Sequence, residues 1–228
     1  MENPSDFQPV PSNFTNLVAE TRNEIIHKTL PASTTEMKPT EKQKNQLRKS
    51  IGEIHPLRNE CWSEIEPLIY VKELNKKDYF SKEGQASRDL GFILNGILRI
   101  YYLSDNGEEW NKHFMIENNF VASSISPEKK SITNIQALSK TTILHIPYFE
   151  FLKLSTKYNE INLFLQKLTF SYLEQKQDRE ISLLSEKAMN NYLSFKKSYP
   201  DLENKIQHYH IASYLGITPT QLSRLRKK

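Results

Sequence analysis

The hydrophobic period of this chain changes twice, and those two changes constrain its fold more than any other feature. Residues 41–69 read as helical, with a break around Gly52 to Pro56. From Tyr70 the period drops to two. Short segments rich in β-branched and aromatic residues follow: Tyr70–Leu74, Tyr79–Phe80, Leu90–Leu94, Ile97–Leu103, Trp110–Phe114, Ile132–Ala137 and Thr142–Ile146. Asn95-Gly96 between two apolar runs predicts a two-residue hairpin, and Asp105-Asn106-Gly107 a further turn. No helical run separates these strands, so they predict an antiparallel sandwich or roll rather than a parallel sheet. After Pro147 the helical period returns. The expected class is α+β, an antiparallel β-roll flanked by helices.

The flanks carry their own signals. Residues 1–40 contain no glycine but five of the eleven prolines, which predicts a mostly irregular segment. One amphipathic helix is expected within it, from Asn16 to Leu30, with Leu17, Val18, Ile25, Ile26 and Leu30 on one side. Beyond the strands, Ile161, Leu165, Leu168 and Tyr172 are spaced 4, 3 and 4 apart, the seam of a helix that packs on a partner. The spacing alone fits packing on its own sheet as well as on a second copy. A shorter helix is predicted over 187–200, ended by Tyr199-Pro200.

Composition excludes several classes. A chain of 228 residues supports one large domain or two small ones. No stretch approaches the ~20 apolar residues of a membrane-spanning helix, and MENPSDFQPV lacks the pattern of a secretory signal. The single Cys61 rules out an internal disulfide framework and a four-thiolate metal site, and a reducing cytoplasm is the expected compartment. Beside Trp62, Cys61 reads as packing. Of the six histidines only His208 and His210 form a close pair, for which phosphate contact or surface exposure is expected, and His113 reads as a satisfied core histidine. No catalytic constellation stands out, so no enzyme activity, metal or cofactor is expected.

The most informative segment is the last one. Residues 205–228 hold Lys205, Arg224, Arg226, Lys227 and Lys228 without one Asp or Glu, against a net charge of +4 for the whole chain. A basic tip on a near-neutral body points to a polyanion. Ile211, Ala212 and Leu215 give a buried helix face, and Gly216 allows the chain to turn with positive φ. Thr218 then offers an N-cap, Pro219 a first helical position and Gln221 the second half of a capping box. Leu222 and Leu225 bury this second helix. Its free face carries Pro219, Thr220, Ser223, Arg224 and Lys227. A helix, a tight turn and a second helix with its polar face free make a helix-turn-helix.

With these residues in view, residues 45–228 resemble bacterial transcription regulators of the cyclic-AMP receptor and fumarate–nitrate regulator (Crp/Fnr) family. The resemblance rests on Leu90-Gly-Phe-Ile-Leu-Asn-Gly-Ile-Leu-Arg-Ile-Tyr-Tyr102, the Asp105-Asn-Gly107 turn, Ile135-Gln-Ala-Leu138 and the C-terminal motif. It is to the branch that lacks a closing β-wing. It implies an extra segment over 1–40, a β-roll sensor with N-terminal helices over 41–157, a dimerisation helix over 158–184 with Ile161, Leu165, Leu168 and Tyr172 as its seam, and a helix-turn-helix over 185–228. It also implies duplex DNA, a second copy of the chain and RNA polymerase as partners, and no membrane. Thr218, Pro219, Thr220, Gln221, Ser223, Arg224, Arg226, Lys227, Lys228 and His208 would face DNA, with Arg224 reading a guanine.

Nucleotide-binding members hold the cyclic phosphate with a Gly-Glu pair and an arginine. Here the matching stretch is Phe120 to Ile132, and it contains no glycine. The acidic position falls on Ser123, next to Ser124, and the arginine position on Ser131, next to Lys130. Lysine lacks the bidentate fork of arginine. Cyclic AMP is therefore not expected to be the effector, and the sequence names no other. Two alternatives belong to other classes: a metal-dependent or small-molecule-binding jelly roll of the cupin type, and a nucleotide-binding module without DNA binding.

Overall fold

A computed structural model describes residues 37–86, 88–124, 129–185 and 187–227. The helix expected over 16–30 lies outside the described residues. Helix α1 (Glu41–Ile54) opens with a capping box: Thr40 Oγ1 accepts from the Gln43 N–H at 3.4 Å, and Gln43 Oε1 accepts from the Thr40 N–H at 2.8 Å. Gly52 lies inside α1 rather than breaking it. The chain leaves the helix at His55, whose φ is −157°, because Pro56 disfavours helical geometry in the residue before it. Helix α2 (Asn59–Ile65) and a 3₁₀ turn (Glu66–Leu68) lead into the sheets.

Eight strands follow: β1 (Tyr70–Leu74), β2 (Tyr79–Ser81), β3 (Asp89–Asn95), β4 (Leu98–Leu103), β5 (Glu109–Met115), β6 (Phe120–Val121), β7 (Asn134–Ala137) and β8 (Thr141–Pro147). They form two four-stranded antiparallel sheets, β1-β8-β3-β6 and β2-β7-β4-β5. Each segment predicted from period-two alternation is present. The two-residue β6 is too short to show a period and was not anticipated. Between the sheets, Ile93, Leu98, Ile135 and Ile143 are wholly excluded from solvent.

The expected hairpin at Asn95-Gly96 is not one. Strand β3 pairs with β8 and β6, whereas β4 pairs with β5 and β7, so this turn carries the chain from one sheet to the other. Only Gly96 has positive φ, +102°, and Thr141 presses against it. The Ile97 amide donates to Ser139 Oγ and Thr141 Oγ1, which fixes the corner. By contrast, the turn at Asp105–Gly107 does close a hairpin between β4 and β5.

Helices cover the outer faces of both sheets. On the first, α1, α2, α3 (Tyr148–Ser155) and the start of α4 (Asn159–Ser185) pack over Leu90, Phe92, Leu94, Leu144 and Ile146. Ile161 and Phe164 of α4 are buried there, and the Phe164 ring lies 5.2 Å from that of Phe120. On the second sheet, α5 (Ala188–Ser198), α6 (Leu202–Lys205), α7 (His208–Leu215) and α8 (Pro219–Arg226) share a core with Ile97, Phe114 and Leu138. Phe114 is fully buried among the rings of Phe195, Tyr199 and Tyr214.

Of the seam expected at Ile161, Leu165, Leu168 and Tyr172, Ile161 is turned into its own roll, Leu165 and Leu168 are partly covered by it, and Tyr172 stays 38% exposed. Tyr172 stands edge-on to His113, with ring centroids 5.8 Å apart. The period holds, and its first three positions bind α4 to its own roll.

A Cβ at Gly96 would lie 2.4 Å from Thr141 Oγ1 and 2.6 Å from its Cα. Gly96→Ala is expected to lower stability by ~2–4 kcal/mol. Gly107 has φ +80° with nothing within 4 Å, so Gly107→Ala should lose only ~1–2 kcal/mol. Urea unfolding midpoints of the two variants check this ranking.

Candidate functional site

The C-terminal end is built from α7, the turn at Gly216 and α8. Gly216 has φ +67°, and its N–H and that of Ile217 return to carbonyls of α7. Ala212, Leu215 and Leu222 are buried where the two helices meet. Thr218 Oγ1 accepts from the Gln221 N–H at 3.2 Å, and Gln221 Oε1 accepts from the Thr218 N–H at 2.8 Å. Pro219 occupies the first helical position. This leaves Pro219, Thr220, Gln221, Ser223, Arg224 and Arg226 on the exposed side of α8.

A buried polar cluster fastens α7 to the second sheet. Arg99, 4% exposed, donates to Gln136 Oε1 through Nε and Nη2 at 3.0 and 2.6 Å. Its Nη1 donates to Glu109 Oε2 at 2.5 Å and lies 3.1 Å from His210 Nδ1. Asn111 Nδ2 donates to the His210 carbonyl, and Ser213 Oγ bridges the Asn111 N–H and the Glu109 carbonyl. Burial, reinforced by the Arg99 charge, lowers the His210 pKa to about 4, so His210 is neutral and accepts from Arg99.

The roll carries a pocket of about 470 Å³ lined by residues that include Lys72, Ser81, Gln85, Arg88, Asp89 and Ser123. Asp89 Oδ1 lies 3.1 Å from His145 Nδ1, and Ser81 Oγ is buried without a hydrogen-bond partner. Ser131 does not line the pocket. It is 3% exposed, and its Oγ donates to the Thr133 carbonyl at 2.7 Å while its backbone bonds to Gln85 and Gly84.

Residues 71–158 match the family model of the cyclic nucleotide-binding domain. FixK2 from Bradyrhizobium japonicum aligns with a TM-score of 0.63 and 16% identity, over 70% of this chain and 83% of that one. A Eubacterium rectale protein assigned to the Crp/Fnr transcriptional regulators aligns with a TM-score of 0.61 and 18% identity, over 75% and 82%. This is the Crp/Fnr fold. The c-di-GMP-responsive global regulator CLP of Xanthomonas campestris shares it, with a TM-score of 0.60, 11% identity and coverage of 75% and 90%. Comparison with curated protein sequences returned no match.

Within this Crp/Fnr fold the expected site residues fall into two groups. Thr218 and Gln221 form the cap, and Thr220, Ser223, Arg224 and Lys227 are exposed. Lys228 lies outside the described residues. Arg226 and His208 are exposed but already engaged within the chain: Arg226 Nε donates to Glu203 Oε1 at 2.7 Å, and its Nη1 lies 3.1 Å from His208 Nδ1. Burial opposes ionisation of Glu203, but hydrogen bonds from Tyr192 and Arg226 hold its carboxyl below the usual range. His210 is buried rather than on the surface. His113 is satisfied as expected, through the Tyr199 hydroxyl at 3.1 Å, but between the roll and the C-terminal helices, where burial lowers its pKa to about 4.

Of the four residues expected in the effector pocket, only Ser123 lines it. Lys130 is exposed beside Ala86, Ser131 is buried in a loop bond network, and residues 125–128 lie outside the described set. The sequence reading missed Lys72 on β1 and Arg88 and Asp89 at the start of β3, which the sheet brings to one pocket. It also missed Arg99, whose signal was a charge between Leu98 and Ile100 in an otherwise apolar strand. Cys61 is wholly buried, and burial raises its pKa to about 11, as packing requires. Among the described residues no three His, Cys, Asp or Glu side chains converge on a metal position. No described helix is long and apolar enough to cross a membrane.

Both His113 and His210 have folded pKa values below the ordinary value of 6.5. The unfolded chain therefore binds more protons between about pH 6.5 and 4, so stability falls as pH drops through that window. Urea midpoints should decrease from pH 7 to pH 5. A His113→Gln, His210→Gln double variant should show a shallower decrease over the same range.

Proposed function

We propose that two copies of this chain form a sequence-specific DNA-binding transcription regulator whose roll pocket does not take cyclic AMP. The observation that carries this reading is the surface of α8. Leu222 and the cap anchor the helix, while Thr220, Ser223 and Arg224 stand exposed with no ion pair among the described residues. A recognition helix needs that division: one face bound to its own fold, the other free to enter a major groove. Arg224 is the residue able to donate two bonds to guanine O6 and N7, a contact worth ~1–3 kcal/mol of discrimination. Gln221 has its amide oxygen committed to the cap, so Thr220 and Ser223 are the other readers. Lys227 and Lys228 meet phosphates.

The dimer interface in this proposal is the face of α4 that the roll leaves open. Leu163, Phe170, Leu173 and Leu184 remain 37–83% exposed. They fall at heptad-like spacings of 7, 3 and 11 along one stripe. A two-fold axis along this stripe presents two copies of α8 to half-sites about one helical turn apart, ~34 Å. Such a regulator works in the cytoplasm and, as an activator, would contact RNA polymerase.

The cyclic AMP claim is supported by the pocket. Neither a carboxylate at position 123 nor a guanidinium at position 131 is present, and Ser131 faces its own loop. Two lost charge-assisted bonds weaken binding by roughly a hundredfold or more. Calorimetry giving a micromolar dissociation constant for cyclic AMP would overturn this part.

Selection from random DNA followed by gel shifts tests the DNA reading. Arg224→Ala should erase preference for the selected site and leave weak, salt-sensitive binding to any duplex. Lys227→Ala should weaken all sequences alike and flatten the salt slope by about one unit. Unchanged preference in Arg224→Ala would remove the recognition-helix assignment, and no binding to any duplex would favour a nucleotide-binding module instead. In sedimentation, Phe170→Asp with Leu173→Asp should convert a dimer to a folded monomer, and a monomeric parent protein at micromolar concentration would contradict the interface.

A further inference from the structure

A second cleft, of about 510 Å³, lies away from the roll pocket, where α4 passes β5 and meets α5 and α7. That volume is within the range of small-molecule sites. Its walls are unlike those of the roll pocket. Ile116, Phe195, Tyr199 and Tyr214 supply an apolar, largely aromatic side, and Arg179 and Asp178 supply the charges. Arg179 comes from α4, so the cleft joins the long helix, a strand of the roll and the first helix of the helix-turn-helix.

The state of Arg179 is what makes the cleft more than a gap. Its Nη2 donates to two carbonyls, those of Tyr214 at 2.7 Å and Asn111 at 3.3 Å, and its guanidinium stacks 4.4 Å above the Tyr214 ring. Its Nε is shut off from solvent and has no hydrogen-bond partner among the described residues. Among the described residues no carboxylate lies within ion-pair distance of it. Asp178 lines the same cleft without pairing to it. Besides Asp178, the charges close to it are cationic and repel one another. Lys112 on β5 is partly buried, and burial together with the Lys176 and Arg179 charges pushes its pKa down. Neither Lys112 nor Lys176 has an ion pair among the described residues. His113, at the cleft wall, is neutral.

A partly buried guanidinium beside two ammonium groups and no carboxylate partner is unfavourable unless an anion completes it. Arginine meets oxyanions as a planar fork, and Arg179, which lines the cleft, has its Nε edge without a partner among the described residues. The rest of the wall mixes polar side chains, Asn119, Gln175, Ser194 and Ser198 among them, with one aromatic side formed by Phe195, Tyr199 and Tyr214, and that side suits a flat hydrophobic body. We propose that this cleft binds a small organic acid with one anionic head and a planar apolar body, the head on Arg179 with Lys112 and Lys176 near it, the body against Tyr199 and Phe195. Carboxylates and phosphate monoesters share the required head. Because four elements, α4, β5, α5 and α7, contribute to the walls, an occupied cleft fixes α7 relative to β5 and α4 and so biases the attitude of the helix-turn-helix. The site stands independently of any DNA-reading role.

Isothermal calorimetry on the full chain without DNA tests this with three probes of equal body: naphthalene-2-carboxylate, 2-naphthyl phosphate and neutral 2-naphthol. At least one acid should bind once per chain with a dissociation constant at or below about 1 mM, and 2-naphthol should bind at least about tenfold more weakly. The acid that binds separates the carboxylate from the phosphate source. Arg179→Gln should weaken the acid by about tenfold or more and leave 2-naphthol unchanged. Lys112→Gln leaves Arg179 and its bonds in place, and should weaken the acid a few-fold by an amount that shrinks at high salt. Failure of both acids to bind at 1 mM, equal binding of 2-naphthol, or wild-type affinity for the acid in the two variants would overturn the proposal. No DNA is present, so failure here leaves the DNA reading standing, and failure of the gel shifts leaves this site standing.

Discussion

The buried guanidinium of Arg99 is the interaction on which the arrangement of this molecule depends. It is a charge almost removed from water, on a strand whose neighbours Leu98 and Ile100 face the inter-sheet core. Such a charge is tolerated only when its donors are fully used. Here they are used on Gln136, Glu109 and His210, that is, on β7, β5 and α7 at once. Removing one partner of a buried pair of this kind typically costs about 3–5 kcal/mol. The cluster therefore holds the first helix of the helix-turn-helix in one attitude against the second sheet, with the requirement that His210 remain uncharged.

Around that polar lock, aromatic packing supplies the area. Phe114 projects from β5 into rings contributed by α5, by the segment after it and by α7. His113, the residue before it, meets Tyr199 and Tyr172, so α4 is tied to the same place. Strand β5 thus touches every element of the C-terminal half that matters for presenting α8. A ligand that shifts β5 or α4 acts on the helix-turn-helix through shared core rather than through a flexible link. This makes the proposed Arg179 cleft, on the same strand and the same helix, a more direct lever than the roll pocket, whose lining includes no residue of β5 or α4.

Much of this was legible in the chain. The seven period-two segments became strands because an antiparallel sheet with one covered face imposes alternation on its own residues. The helix-turn-helix was legible because its signals are local: Thr218, Pro219, Gln221 and Gly216 each satisfy a backbone requirement within four residues of themselves. Other features were not. The Asn95-Gly96 turn looks like a hairpin, yet whether two flanking strands pair depends on Thr141, forty-five residues downstream of Gly96, filling the space beside it. The spacing of Ile161, Leu165 and Leu168 marked an apolar stripe correctly and could not say which surface covers it, since a roll and a second helix impose the same period.

What the sequence determined alone was therefore the set of elements, their order, and the chemistry of the C-terminal tip, because period, capping and charge act over a few residues. What tertiary structure decided was partnership. It paired Arg226 with Glu203 and set His208 beside Arg226, buried His210 against Arg99, withdrew Ser131 from the roll pocket and left Arg179 without a carboxylate partner among the described residues. None of these follows from spacing. Each arises because the protein interior brings together groups tens of residues apart, and a charge removed from water must take whichever partner the fold places beside it.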